Sequence, residues 1–516
     1  MEHILNLFMS KNNIIKKEEF NMHNFVDPFV NLIMNNIDIE CNSYLNKTLR
    51  DSIKKNCKKE IFSYFPKIII TEAKIFKLEN ELKNDDMKLY IYNLFNDKKQ
   101  ILNLTKIYPF MFHFIIERCE NISAIYIDLL KKIKKDYIEL VQVGLIEDGE
   151  ELLKIDRNLG DSHNKGQKVM ELKFTNTSIF YKPKNSNLTK VLFDIQNWIK
   201  SHSSINFYQY KILNKKDYAY EEKVEHKYVK NSLELDTYYY NFGVTLGLIY
   251  LLNGTDYHFE NIISHGVHPV MIDNETLFNP ALEDFQSDVH FLSLGMLPNT
   301  QNNIDFSALS GSLRSEKILV EQLVEKNNTF MLEKRDFFIK RRKNYPSKEI
   351  NYIYIYEKEK KHLLLGFQDL LSVFIENKES FLNSGIVEEL KNERIRIVLR
   401  HTMFYNELLT KLFHPYNVKT KSTARKFLRK YLNKNKKLQK VLNCEEEHLL
   451  NGDIPIFHMK MKNNYLDENI NYIVSKSNPI QAFLKKINNL DSKNLLLSKN
   501  IILNILNNYY KELKNG

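Results

Sequence analysis

Apolar residues recur at helical spacing from Phe25 to Ile37 and from Ile101 to Leu130, with Lys and Asn between them. This pattern predicts a helical N-terminal region over residues 1–135 that packs on the rest of the molecule. His113 and Cys119 fall among apolar neighbours there and are expected to be core residues. The period then shortens to that of a strand. Val169 to Phe174 alternates, Thr175 to Thr177 supplies a turn, and Ser178 to Lys182 alternates again until Pro183 ends it. Asp217 to Val224 reads as an edge strand. With an amphipathic helix around Trp198, these strands predict a small β-rich lobe over residues 136–235.

Helical periodicity returns from residue 236. Gly243 to Leu252 is apolar at nearly every position, too short to cross a bilayer, and suits a buried core helix. Asn253-Gly254 stops it with turn chemistry. Ile262-Ile263 then reads as a strand, Ser264 to His268 as a turn, and Pro269 to Ile272 as the returning strand. Residues 279–315 are polar and broken, as expected of a substrate-facing flap. Lys317 to Lys340 and Ile375 to Phe413 read as long helices, as does the tail to Gly516. The expected class is α+β, with a large helical lobe over residues 236–516.

Composition narrows the function. Hydrophobic residues make up 43% and charged residues 27%, as in a soluble globule. The net charge of +11 comes from Lys spread along the whole chain, without the interleaved aromatics of a nucleic-acid groove, so no nucleic-acid partner is expected. Cys41, Cys57, Cys119 and Cys444 lack C-x-x-C spacing, which argues against a disulfide framework or a zinc ribbon. The N-terminus has no secretory pattern and no apolar run reaches about 18 residues. The expectation is a cytoplasmic protein without an integral membrane segment.

The loop Thr255 to Asn261, T-D-Y-H-F-E-N, packs Asp256, His258, Glu260 and Asn261 together, and the strand after it ends in Asp273-Asn274-Glu275. A phosphotransferase needs this layout. A loop Asp accepts the proton of an attacking hydroxyl, and a loop Asn and a strand-end Asp hold Mg²⁺ against ATP phosphates. The order D-x-H-x-x-N, with His after Asp, is closer to lipid kinases than to protein kinases. Lys182, at the end of a strand, occupies the place of a phosphate-binding Lys, and the loop Gly160 to Gly166 precedes its hairpin. Arg396 and Arg400 are spaced as an i,i+4 pair on one helical face, a basic surface suited to a phosphate leaving group. A buried polar loop and a solvated basic face are the bland alternatives.

These residues also carry a resemblance. L-L-N-G-T-D-Y-H-F-E-N followed by P-V-M-I-D-N-E-T-L-F resembles the dehydratase domain of class II lanthipeptide synthetases, the LanM family. G-D-S-H-N-K-G, Y-K-P, L-G-M-L-P with D-F-S-A-L, R-I-V-L-R-H-T-M-F-Y and L-N-G-D-I-P-I-F extend it over about residues 140–460. Where the family has a Trp and a Glu before the hinge, this chain has Tyr220 and Glu222. The resemblance implies a lipid-kinase-like two-lobed core, with residues 279–315 as an activation-loop-like segment. It implies ATP/ADP and Mg²⁺ as cofactors, a precursor peptide with its leader as substrate, and a later cyclase and exporter as further partners. The zinc-binding cyclase domain of that family has no counterpart among these cysteines, so no zinc is expected and the chain reads as the dehydratase part alone.

On that basis Lys182, Asn261 and Asp273 would place ATP and magnesium, Asp256 would orient or deprotonate a Ser or Thr hydroxyl, His258 would support the transfer, and Glu275 would assist metal or loop geometry. Arg396 would stabilise the leaving phosphate, with Asp161, His163 and Thr402 serving the elimination that leaves dehydroalanine or dehydrobutyrine. A peptide kinase without elimination, and a leader-binding pseudokinase subunit of a split synthetase, are the competing readings.

Overall fold

A computed structural model describes residues 8, 22–81, 87–157, 159–280, 288–299, 305–310, 317–326, 329–338, 343–348, 360–467, 470 and 472–515. The N-terminal region is helical: α1 (Asp27–Cys41), α2 (Lys47–Phe62), α3 (Pro66–Glu79), α4 (Met87–Asn96), α5 (Lys98–Ile107) and α6 (Pro109–Gln142). Their starts follow from sequence. Asn46 and Asp97 cap α2 and α5 by accepting backbone N–H bonds, and Pro sits in the first turn of α1, α3 and α6. The 34 residues of α6 bury Ile115, Cys119, Ile122, Tyr126, Leu129 and Ile133 along one stripe. Cys119 is core as expected, whereas His113 faces solvent beside Glu117 on the opposite side of the helix.

The next elements are β1 (Leu152–Asp156), β2 (Met170–Phe174), β3 (Ser178–Lys182), α7 (Asn187–His202), β4 (Ile212–Asn214) and β5 (Ala219–Glu222). The strands form one antiparallel sheet in the order β1-β2-β3-β5-β4. The strand expected at an edge is thus internal: β5 lies between β3 and β4, with Ala219 and Tyr220 fully buried. Its register sets two faces. Lys182 pairs with Ala219 and Phe180 with Glu221, so Lys182 and Glu221 share one face, while Tyr181 and Tyr220 share the other. On that second face the Tyr218 and Tyr220 hydroxyls donate to Asp136 of α6, at 2.7 and 3.3 Å.

Beyond the sheet, α8 (Ser232–Leu251) is buried along its whole C-terminal half. It leads into β6 (Ile262–His265), β7 (His268–Met271) and α9 (Asp288–Ser293). Of the segment 279–315, residues 281–287, 300–304 and 311–315 lie outside the described residues. Lys317 to Lys340 does not form the expected helix: β8 (Lys317–Lys326) and β9 (Thr329–Phe338) pair as a hairpin from Lys317↔Phe338 to Lys326↔Thr329. Their β-branched and aromatic residues favour strand. The pattern from Ile375 to Phe413 is likewise broken. It divides among α10 (Lys360–Glu376), α11 (Lys378–Leu382), α12 (Ile386–Leu390), β10 (Arg394–Ile397) and α13 (Thr402–Leu412). The chain closes with α14 (Lys421–Leu432), α15 (Leu442–Leu450), β11 (Phe457–Lys460), α16 (Pro479–Asn488) and α17 (Ser492–Asn515). Helices α8 and α10 meet through glycine: a Cβ on Gly243 would lie 1.9 Å from the Leu363 carbonyl oxygen, and one on Gly366 would lie 1.9 Å from that of Tyr240.

Among the described residues two large apolar cores result, beside a small cluster of Tyr210, Val224, Ile263 and Val270. One joins α1–α6 to the sheet and to residues of α13–α15; the other packs α7 against α8, α10, α16 and α17. Among the described residues no helix is long and apolar enough to cross a membrane.

A buried charge cluster ties the first core to the loop before β2. Arg118 of α6 pairs with Glu60 of α2 at 3.0 Å and with Asp453 at 2.9 Å, and donates to Ser162 Oγ at 2.7 Å. Arg157 approaches Glu60 at 3.4 Å and bonds the Gly166 carbonyl. Gly166 takes φ +100°, and its N–H donates to Asp453 at 3.2 Å. Burial disfavours the Glu60 carboxylate, but Arg157, Lys168 and Arg118 outweigh it and hold Glu60 down to about 2. Its contribution to stability is therefore present above the unfolded-state value of about 4.3 and lost as pH falls toward 2. Removing Arg118 leaves two buried carboxylates short of a cation, which typically costs about 3–5 kcal/mol. Arg118→Met is expected to lower the denaturant midpoint accordingly and to move acid unfolding to higher pH. Wild-type values for both would show that the cluster does not hold the loop.

Candidate active site

The face of the sheet bearing Lys182 forms one wall of a cleft. Lys182 Nζ lies 2.8 Å from Glu221 Oε2 and donates to the Ile272 carbonyl at 2.9 Å. Ser186 Oγ donates to the other Glu221 oxygen at 2.6 Å. Burial works against the Lys182 charge, but Glu221 and Asp273 more than offset it and raise its pKa. Glu222, the residue singled out from sequence, points the opposite way, where it receives the Tyr208 hydroxyl at 2.9 Å. The two-residue period of β5 puts Glu221, not Glu222, on the face of Lys182.

The floor is the loop between α8 and β6 with the segment that follows β7. Lys486 of α16, buried without a carboxylate, bonds the Tyr250 carbonyl and, at 2.7 Å, Asn253 Oδ1, so the end of α8 is fixed. Thr255 N–H donates to the Thr276 carbonyl at 3.2 Å, and Thr276 Oγ1 donates back to the Thr255 carbonyl at 2.5 Å. Asn274, 2% exposed, sits between Tyr257 and Thr189, which turns its neighbours Asp273 and Glu275 toward the cleft. Asp256 has a left-handed backbone, φ +67°, unusual for Asp and typical of strained functional loops. His258 Nε2 is 3.5 Å from its carboxylate, and the Glu260 N–H donates to His258 Nδ1 at 3.2 Å. That contact assigns the proton of a neutral His258 to Nε2, facing Asp256. The Asn261 amide donates to the Asp256 carbonyl at 2.8 Å, which leaves its oxygen free to act as a ligand.

The opposite wall is β10, paired with β11 so that Arg396 faces His458. Arg396 is therefore on a strand, and the expected helical face with Arg400 does not exist. Arg-Ile-Arg-Ile alternates, and strand pairing to residues some sixty positions later wins over local helical spacing. Arg400 turns away to Glu445, at 2.6 and 3.2 Å through two nitrogens. Arg396 binds Glu275 twice: Nη1 reaches Oε1 at 2.5 Å, and the backbone N–H donates to the Glu275 carbonyl at 2.9 Å. The second Glu275 oxygen is taken by Lys184, whose Nζ also lies 3.9 Å from Asp273 Oδ1. Burial lowers Lys184 to about 8, with Asp273 opposing and Lys182 and Arg396 adding to the fall.

Arg396 is the common neighbour of the remaining groups. Partial burial raises the Asp256 carboxyl, while His258 and Arg396 pull it back. Asp273 ends below its ordinary value, because Lys184, Lys182 and Arg396 outweigh burial. His163 falls to about 4 through burial and the nearby Arg396 charge. Its Nδ1 sits 2.7 Å from the Ile454 carbonyl, so Nδ1 carries the proton and Nε2 the lone pair. Asp161 receives the Asn406 amide at 3.4 Å; Asn406 lies one turn beyond Thr402, the first residue of α13, on the same helix face.

Asp256, His258, Asn261, Asp273, Glu275, Lys182 and Arg396 thus converge on one cleft, and the loop of Asp161 and His163 and the start of α13 at Thr402 border it. Glu275 is engaged by two cations, Lys184 and Arg396, one on each oxygen. Asp273 with the Asn261 oxygen fits magnesium, which takes one or two protein oxygens and completes its shell with water and phosphate. Among the described residues no cluster of three His, Cys, Asp or Glu could hold a metal by itself. Sequence reasoning passed over Glu221, Lys184 and Arg118. The strand period was an available signal for the first two, and a lone Arg inside an apolar stripe for the third.

Over 313 residues the chain is 29% identical to the lacticin 481/lactococcin biosynthesis protein LcnDR2 of Lactococcus lactis subsp. lactis, an alignment covering 54% of this chain and 33% of that protein. The chain thus spans about a third of the length of the curated relative it matches. Residues 108–460, from the start of α6 through β11, match the family model described as a domain of unknown function, DUF4135. With well over half of its length matched, and with every side chain that lines the cleft inside that span, the chain belongs to the DUF4135 family.

Proposed function

We propose that the chain is a lanthipeptide-type dehydratase with a kinase-like, two-lobed core, acting on Ser and Thr of a ribosomal precursor peptide. It phosphorylates the hydroxyl with ATP and then eliminates the phosphate. The observation that carries this reading is the contact of Arg396 with Glu275, two residues from Asp273. It joins a phosphate-holding arginine to the Asp256–Asn261–Asp273 set of a phosphotransferase. The relative is a lacticin 481/lactococcin biosynthesis protein, which favours a peptide substrate. The enzyme would work in the cytoplasm, ahead of cyclisation and export of the peptide.

Lys182, held in place by Glu221, binds the phosphates of ATP. Magnesium, on Asp273 and Asn261, would neutralise charge on the transferring phosphoryl group. Asp256 accepts the proton of the substrate hydroxyl as its oxygen attacks the terminal phosphorus and ADP leaves; His258 steadies the carboxylate through Nε2. The phosphopeptide stays in the cleft. His163, neutral at physiological pH with its lone pair on Nε2, takes the Cα proton with Asp161 and Thr402 beside it. The released electron pair forms the Cα–Cβ double bond, the Cβ–O bond breaks, and phosphate departs against Arg396. Two steps are needed because hydroxide is a poor leaving group and phosphate gripped by a guanidinium is a good one.

Two outcomes test this assignment by mass spectrometry of a Ser- and Thr-containing precursor. Asp256→Ala and Asp273→Ala should each give neither phosphorylated nor dehydrated peptide; full dehydration by either refutes the kinase half. Arg396→Ala should still phosphorylate but eliminate about a hundredfold more slowly, since one charge-assisted contact to a developing anion is worth about 3 kcal/mol. Phosphopeptide should therefore accumulate, and Arg396→Lys should restore elimination only in part. Dehydration at the wild-type rate by Arg396→Ala would exclude its role.

A further inference from the structure

Lys184 stands outside every motif that led to the cleft, yet the geometry gives it a distinct place there. It follows Lys182 by two residues, across Pro183, at the exit of β3. Its neighbour is provided for: Glu221 lies 2.8 Å from Lys182, and both oxygens of Glu221 are engaged, one by Lys182 and the other by Ser186. Among the described residues, the nearest carboxylate to Lys184 is that of Glu275, which already carries Arg396 on its other oxygen. Asp273 is farther, at 3.9 Å, and is the residue suited to a divalent cation. One carboxylate shared by two cations leaves each cation with donors to spare. An ammonium has three N–H groups and a guanidinium five. About a third of the Lys184 side chain, 35%, remains accessible, so it can reach an incoming group without unfolding.

Resting on the dehydratase reading above, we propose that Lys184 and Arg396 form a two-cation site for the phosphate of the phosphorylated peptide, with Glu275 holding both side chains ready for it. When the phosphomonoester arrives, Lys184 exchanges one Glu275 contact for a phosphate oxygen, and Arg396 takes the others. The site is separate from the Lys182–Glu221 pair that serves ATP. The same strand exit thereby supplies one lysine for each half-reaction. When the Cβ–O bond breaks, the bonding electrons go to the phosphate oxygen, and both cations neutralise the dianion that leaves.

Inorganic phosphate is the probe. Calorimetric titration of the full chain, alone and with MgADP present, should show phosphate binding that Lys184→Gln weakens by about tenfold or more, the usual effect of losing one charge-assisted hydrogen bond. Lys184→Arg should keep affinity within roughly threefold, since it preserves the charge, and Lys200→Gln, an exposed lysine elsewhere, should match wild type. MgATP affinity of Lys184→Gln should change by less than about threefold, which also shows that the variant is folded. Phosphate affinity unchanged in Lys184→Gln, or lost together with MgATP binding in a variant that melts as wild type does, would overturn the two-cation site. A wild-type chain that binds neither MgATP nor phosphate would instead refute the dehydratase reading itself.

Discussion

The Glu275 carboxylate between Arg396 and Lys184 is the contact on which the cleft depends. It joins three elements distant in sequence: the strand exit after β3, the segment after β7, and β10. Without it, Arg396 and Lys184 would repel each other and Lys182 across a partly desolvated space. With it, the positive charges are held in a fixed array beside Asp273. The backbone bond from Arg396 N–H to the Glu275 carbonyl adds a link that no side-chain motion can break. A carboxylate in this position is better understood as a holder of cations than as a metal ligand.

The array works only on a rigid frame, and the frame comes from two sources. Below the cleft, the close glycine contacts of α8 and α10 and the buried Lys486 fix the helix end that launches the Asp256 loop. Beside it, Arg118 reaches from the N-terminal helices to Ser162 and Asp453, so the loop of Asp161 and His163 is anchored to residues on either side of it in sequence. The N-terminal helical region is therefore part of the support for the site. Its contribution is to hold His163, bonded to the Ile454 carbonyl, at the rim where burial and then Arg396 depress its basicity.

Features encoded over a few residues were legible in the sequence. The hairpins β2–β3 and β6–β7, the apolar C-terminal half of α8 and the grouping of Asp256, His258 and Asn261 rest on local period and turn chemistry and were read close to their places, whereas the more polar first half of α8, from Ser232, was not. Features that arise from pairing between distant segments were not. The β8–β9 region looked helical because its apolar residues also fit a longer period. Arg396 looked helical because its strand partner, His458, lies far along the chain. β5 looked like an edge because β4 before it is only three residues long. Glu221, Lys184 and Arg118 acquire meaning only once the faces of strands and helices are known.

The central claim is that one cleft performs transfer and elimination in succession. Rapid-quench mass spectrometry of the wild-type chain with MgATP and a Ser- and Thr-containing precursor peptide tests it most directly. The account predicts a phosphopeptide that rises first and decays as dehydrated peptide appears, with one ADP and one phosphate released per dehydration. Dehydrated peptide formed without ATP consumption, or phosphopeptide that accumulates to completion and is never converted, would contradict it.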